Sequence, residues 1–207
     1  MITIIDYKAG NLTSVKLAFE YIGQKVLVTD RPEIIAKAER VVFPGVGAAS
    51  SAMDNLRNLG IIDAITEVIE KGVPFLGICI GMQLLFDHSE EDGGTDCIGL
   101  LSGEIKKFKP TDKFCKVPQM GWNAVKIARN HPLFHSIEDN SEFYFVHSFY
   151  ANASENENII GKTDYADVTF CSAAGRDNII ATQFHPERSG AIGLKLLENF
   201  CNWSAKC

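Results

Sequence analysis

The residues best suited to covalent chemistry begin with Gly77-Ile78-Cys79-Ile80-Gly81. An apolar run, 74–78, leads into the cysteine, and a helical run, Met82-Gln83-Leu84-Leu85-Phe86, follows it. A nucleophile between two glycines at the junction of strand and helix is the pattern of a nucleophile elbow. The turn is so tight that side chains two positions away on either side would collide. At the start of a helix, unpaired N–H groups and the positive dipole end favour negative charge on the sulfur. The N–H of Ile80 then points where an oxyanion would form. A cysteine nucleophile also needs a base and a group to orient it. His185-Pro186-Glu187 supplies both, just past the apolar strand pattern of 179–183. In an extended segment residues i and i+2 share a face. Glu187 is therefore expected behind His185, where it fixes the tautomer and stabilises the imidazolium, with Pro186 limiting the backbone between them. Cys79, His185 and Glu187 together read as a Cys-His-Glu triad. Pro44-Gly45-Val46-Gly47, directly after the apolar run 41–43, has two readings. It is a strand-ending turn, or a glycine loop beside the elbow whose Val46 or Gly47 N–H supplies a second oxyanion donor.

Each of these motifs sits at the end of an apolar run, so a sheet must gather them. The first half alternates strand and helix patterns. Residues 2–6, 25–29, 41–43 and 74–78 read as strands. Helices are expected at 32–38, 51–59 and 61–71, and after Asn11 as cap, carrying Leu12, Val15, Leu17, Ala18, Tyr21 and Ile22 up to Gly23. Repeated strand–helix units imply a parallel sheet with helices on both faces. From about residue 100 short strand patterns follow at 100–105, 124–127, 143–147, 159–163, 168–171 and 179–183, and a helix closes the chain at 189–204. The expected class is α/β: a mostly parallel central sheet flanked by helices, with an antiparallel extension, in a single domain over 1–207. No internal repeat, linker or low-complexity segment interrupts it.

Composition narrows the function. Hydrophobic residues at 46% and charged residues at 22% exclude intrinsic disorder. Lys plus Arg is 20 against 26 for Asp plus Glu, and a net charge of -6 makes nucleic-acid binding a poor reading. No basic segment precedes the opening apolar run, so it reads as a strand rather than a signal peptide. No window is apolar and long enough for a membrane span. The six cysteines contain no CxxC pair. Without a secretory signal, free thiols in the cytoplasm are the expected state. His131 and His135 are four apart, but Pro132 and the lack of an intervening carboxylate argue against a zinc helix. No metal and no cofactor is expected, and the chain has no Gly-x-x-x-x-Gly-Lys phosphate loop.

Gly-Ile-Cys-Ile-Gly-Met-Gln at 77–83, Pro-Gly-Val-Gly at 44–47 and Gln-Phe-His-Pro-Glu-Arg-Ser at 183–189 resemble class I (triad) glutamine amidotransferases. Asp-Tyr-Lys-Ala-Gly-Asn-Leu at 6–12, Val-Pro-Gln-Met-Gly-Trp-Asn at 117–123 and Tyr-Phe-Val-His-Ser-Phe at 144–149 are similar to the glutaminase subunits of imidazole glycerol phosphate synthase. The resemblance covers essentially the whole chain and implies a flavodoxin-like fold. It implies hydrolysis of L-glutamine to glutamate and ammonia, with Ile80, Val46 and Gly47 as the oxyanion hole. Gln83, His147 and Ser148 would hold the amino-acid end of glutamine. Ammonia would pass to a (β/α)₈-barrel cyclase subunit. That subunit would make imidazole glycerol phosphate and aminoimidazole carboxamide ribonucleotide in histidine biosynthesis. Asn11, Trp122 and Arg188 would face that partner; Trp122, read as a loop residue between Gly121 and Asn123, is placed at the interface rather than in the core. The resemblance also implies that the isolated chain is a poor glutaminase until partner and ligand reorient the loop at 45–47. Lys8, Gln119, Phe149 and Arg188 depart from the subfamily pattern. Lys8, Gln119 and Arg188 are expected toward the partner. These departures keep open a paralogous glutaminase that serves a different synthase.

Overall fold

A computed structural model of the chain describes residues 1–8 and 12–205. The first half alternates as expected. The strands are β1 (Ile2–Ile5), β2 (Val26–Thr29), β3 (Val41–Gly45) and β4 (Phe75–Cys79). The helices are α1 (Leu12–Tyr21), α2 (Pro32–Ile35), α3 (Ala49–Asn58), α4 (Ile61–Glu70) and the single-turn α5 (Ile80–Gln83). β1, β3 and β4 are buried at every position, as strands covered on both faces require. α4 buries Ile61, Ala64, Ile65 and Val68, one stripe at helical spacing, and leaves its acidic face in water.

The second half is mainly β: β5 (His88–Ser89), β6 (Thr95–Asp96), β7 (Gly103–Lys107), β8 (Gln119–Ile127), β9 (Ser141–His147), β10 (Phe149–Ala153), β11 (Ile159–Tyr165), β12 (Val168–Arg176) and β13 (Ile179–Thr182). The closing helix α6 (Gly190–Asn202) buries Leu196, Leu197 and Phe200, and the Phe200 ring meets Phe19 of α1 edge-on. The main sheet runs β2-β1-β3-β4-β13-β12-β10-β7-β5-β6, with β11, β8 and β9 branching from β12. β2, β1, β3, β4 and β13 are parallel neighbours. β12 then pairs antiparallel with β13, and β10 with β12. The parallel core with an antiparallel extension is the architecture the sequence patterns imply.

Three local readings need correction. The helix after the elbow stops at Gln83 instead of running on to Phe86. The carbonyls of Leu84 and Leu85 accept from the N–H groups of Ile98, Leu100 and Leu101, so they do not continue a helix. β3 continues through Pro44 to Gly45, because its outer partner β1 pairs only as far as Val42 and asks no N–H of Pro44. β8 begins at Gln119, which makes Trp122 a strand residue and not a loop residue.

Candidate active site

β4 delivers Cys79 at its last position, and α5 starts at the next residue. Cys79 has φ 56° and ψ −110°, a positive φ that only a strongly determined turn imposes on a side-chain-bearing residue. The flanking glycines are required by close backbone approach. A Cβ on Gly81 would lie 1.7 Å from the Phe43 carbonyl oxygen, and one on Gly77 would lie 2.9 Å from that of Gly81. The neighbouring strand ends complete the setting: Gly45 pairs with Cys79 on one side, and Thr182 pairs with Ile78 on the other. This register brings the 44–47 loop and the His185 segment to the elbow.

His185 leaves β13 with its N–H donating to the Tyr144 carbonyl at 2.9 Å. Ser189 Oγ donates to the His185 carbonyl at 2.7 Å and accepts from the Tyr144 N–H at 3.0 Å, which pins the segment to β9. His185 Nδ1 meets Glu187 Oε1 at 2.8 Å, and both side chains are almost fully buried. The expected pair therefore forms, although not along an extended strand: Pro186–Arg188 is a 3₁₀ turn opened by the proline. Nε2 is left for Cys79. It is buried without a regular hydrogen bond, yet the sulfur is close enough to act on it. Burial pushes the imidazolium down. The charge and contact of Cys79, and then the hydrogen bond and charge of Glu187, outweigh that and raise the His185 pKa to about 10.

Cys79 and His185 open on a cavity of about 270 Å³ that is also lined by Val46, Gly47, Ile80, Gln83, His147 and Ser148. All the expected oxyanion and substrate residues thus line one cavity with Cys79 and His185. Ile80 is the first residue of α5, so no helical carbonyl takes its N–H. Gln83 is buried rather than exposed; its Nε2 donates to the Phe149 carbonyl at 3.0 Å and to Gln183 Oε1 at 2.9 Å. His147 Nδ1 donates to the same Phe149 carbonyl at 2.7 Å, which leaves Nε2 as a bare acceptor. Burial pushes His147 down to about 4, against the pull of that carbonyl and with help from the His185 charge, so the ring is neutral at neutral pH. A second cavity of about 220 Å³ lies beyond His185 and Glu187, lined also by Val15, Gly45, Val46, Val146 and Arg188.

Three site residues were not singled out from sequence. Gln183 Nε2 lies 3.7 Å from Cys79 Sγ. Glu91 lines the cavity and accepts from the Ala49 N–H at 2.7 Å, at the start of the helix that follows the 44–47 loop. Tyr7 is fully buried against Gly45, its hydroxyl without a partner and its pKa raised by burial and by Cys79. The acidic run Glu90-Glu91-Asp92 and the glutamine two positions before His185 were the available signals.

On the outer face, Trp122 and Met120 are exposed, and Trp122 meets the Tyr144 ring edge-on. The Arg188 guanidinium lies 6.0 Å over the same Tyr144 ring. Lys8 is exposed and paired with Asp30 at 2.7 Å. Gln119 is buried, which corrects its expected place at the partner surface: β8 and β9 pair it with His147, so its side chain turns inward. Asn11 lies outside the described residues. Among the described residues no cluster of three or more His, Cys, Asp or Glu side chains could hold a metal ion, and no helix is long and apolar enough to cross a membrane.

A family model for class I glutamine amidotransferases matches residues 3–203. The chain is 48% identical over 200 residues to an imidazole glycerol phosphate synthase subunit HisH from Dehalococcoides mccartyi (strain CBDB1), covering 97% of this chain and 96% of that one. It is likewise 48% identical to the subunit HisH of Methanocaldococcus jannaschii, covering 97% and 98%. A solved glutamine amidotransferase structure superposes with a TM-score of 0.75 over 98% of both chains at 15% identity, which supports the fold. These relatives favour the imidazole glycerol phosphate synthase reading over a glutaminase for a different synthase. The chain belongs to the class I glutamine amidotransferases and, within them, to the HisH subunits of imidazole glycerol phosphate synthase.

Proposed function

We propose that this chain releases ammonia from L-glutamine through Cys79, His185 and Glu187 and hands it to a barrel-shaped cyclase subunit in histidine biosynthesis. The observation that carries the reading is the buried His185–Glu187 pair at 2.8 Å, set against Cys79 on the wall of the same cavity. Cys79 Sγ attacks the side-chain amide carbon of glutamine, forming a C–S bond. The oxygen takes up negative charge against the N–H of Ile80 and of the Val46–Gly47 loop. His185 gives its Nε2 proton to the nitrogen as the C–N bond breaks, so ammonia leaves and a γ-glutamyl thioester remains. Water then loses a proton to His185 and attacks the thioester. Glutamate departs as the C–S bond breaks, and His185 is protonated again.

The cavity supports recognition of an amino acid. Both N–H bonds of the Gln83 amide are taken by Phe149 and Gln183, so Gln83 offers its oxygen. Glu91 adds a carboxylate, and His147 and Ser148 line the same cavity. An α-ammonium group suits the first two. The cavity behind the triad, reaching Arg188, supports an exit for ammonia toward the face that bears Trp122 and Met120. Five free thiols among the described residues support a reducing, cytoplasmic setting.

The test is Cys79→Ala assayed with the cyclase. Glutamine-dependent synthesis should vanish while synthesis from added ammonium salts continues. Retained glutamine use would overturn the mechanism.

A further inference from the structure

One buried amide beside the sulfur has no part in the triad. Gln183 is fully buried, follows β13 directly, and places Nε2 3.7 Å from Cys79 Sγ. We infer that Gln183 is a positioning residue for the nucleophile, its amide N–H holding the Cys79 sulfur and favouring the charged form over the thiol. The inference rests on Cys79 as the attacking atom.

The orientation of the amide is what gives it this role. Taken alone, a glutamine can present either end to a neighbour. Here the choice is fixed from a distance. The Phe149 carbonyl can only accept, so Gln83 must turn its nitrogen toward it at 3.0 Å. The same nitrogen lies 2.9 Å from the Gln183 amide, which must answer with its oxygen. The Gln183 nitrogen is therefore left on the sulfur. Turning Gln183 over would set two NH₂ groups against each other and a carbonyl oxygen against the nucleophile. A thiol sulfur is a weak acceptor, whereas hydrogen bonds to charged acceptors are about twice as strong. An N–H fixed here acts on the two forms unequally.

Gln183 and His185 are two residues apart on one segment, so a single stretch of chain brings a neutral donor and a charged base to one atom. The titratable groups around the sulfur are His185 with Glu187 behind it, Tyr7 from the end of β1, and Glu91 and His147 on the cavity wall. Gln183 differs from all of them in having no charge to change with pH.

The test uses the full chain in complex with the cyclase, with Gln183→Met (similar length, no donor) and Gln183→Glu (same shape, a carboxylate). Iodoacetamide labelling of the Cys79 peptide is followed by mass spectrometry across pH. At about pH 7 the Met variant should label about ten-fold more slowly, and its rate should converge with wild type above about pH 10. The Glu variant should label more slowly still. Glutaminase kcat should fall about ten-fold in the Met variant, with KM within about two-fold. An unchanged labelling profile, or a loss of equal size at every pH, would overturn the inference. Should the variants fail to fold, the wild-type Gln183 side-chain amide resonance should follow the same pH midpoint as Cys79 labelling. A resonance indifferent to that midpoint would also overturn it. Iodoacetamide reads the sulfur whatever the natural substrate, so a negative result here leaves the glutaminase reading standing.

Discussion

His185 holds its proton because Cys79 and Glu187 outweigh the burial that opposes it. Removing one of those supports should therefore lower its pKa. In Glu187→Gln an acceptor remains for Nδ1 but the charge is gone. NMR titration of the His185 ring should give a lower pKa than in the wild type, and glutaminase turnover should fall on the order of 100-fold. Unchanged turnover would mean that Glu187 orients the ring without stabilising its charge. The elbow and the His185–Glu187 pair were legible because their spacing is local: two glycines around Cys79, and a carboxylate two residues after His185. Gln183, Glu91 and Tyr7 were not, because each acts only after distant segments meet. Gln119 was misplaced for the same reason, since its inward turn depends on pairing with His147 across β8 and β9.

At the scale of elements, the site is a junction of strand ends with no room to spare. A Cβ on Gly45 would meet Tyr7 Oη at 1.7 Å and Tyr7 Cζ at 2.9 Å. Gly45→Ala should destabilise the chain by about 1–3 kcal/mol, the usual range for overpacking. Adding Tyr7→Phe removes the worst contact and should restore part of that loss in urea unfolding. Strictly additive effects would show that the loop relaxes by another route. The parallel half was readable because its strands are apolar runs with helices between them. β10 was not seen as a strand, because Phe149–Ala153 owes its extended form to antiparallel pairing with β7. Trp122 was read as a loop residue because Gly121 and Asn123 are turn formers by type, yet pairing with β9 holds all three in β8.

Across the whole molecule, the proposed chemistry and the proposed partner face share one edge. β3, β4 and β13 all end at the elbow, the edge where open parallel sheets place their ligands. Trp122, Met120 and Arg188 continue that edge outward. Trp122→Ala should weaken the complex with the cyclase by about 2 kcal/mol, roughly thirty-fold in Kd, the scale of a buried aromatic anchor. Isothermal calorimetry would measure it, and an unchanged Kd would place the interface elsewhere. The pairing of Thr182 with Ile78 has a broader consequence. Cys79 ends β4 and His185 lies just past the end of the adjacent β13, although β5 to β12 all lie between them in the chain. That excursion carries the Tyr144 backbone that holds His185 and the cavity-lining His147 and Phe149, as well as the exposed Met120 and Trp122, so its outward side chains can change while those at the cavity are held. Variation of the outer face and preservation of the site thereby fall to opposite faces of the same strands.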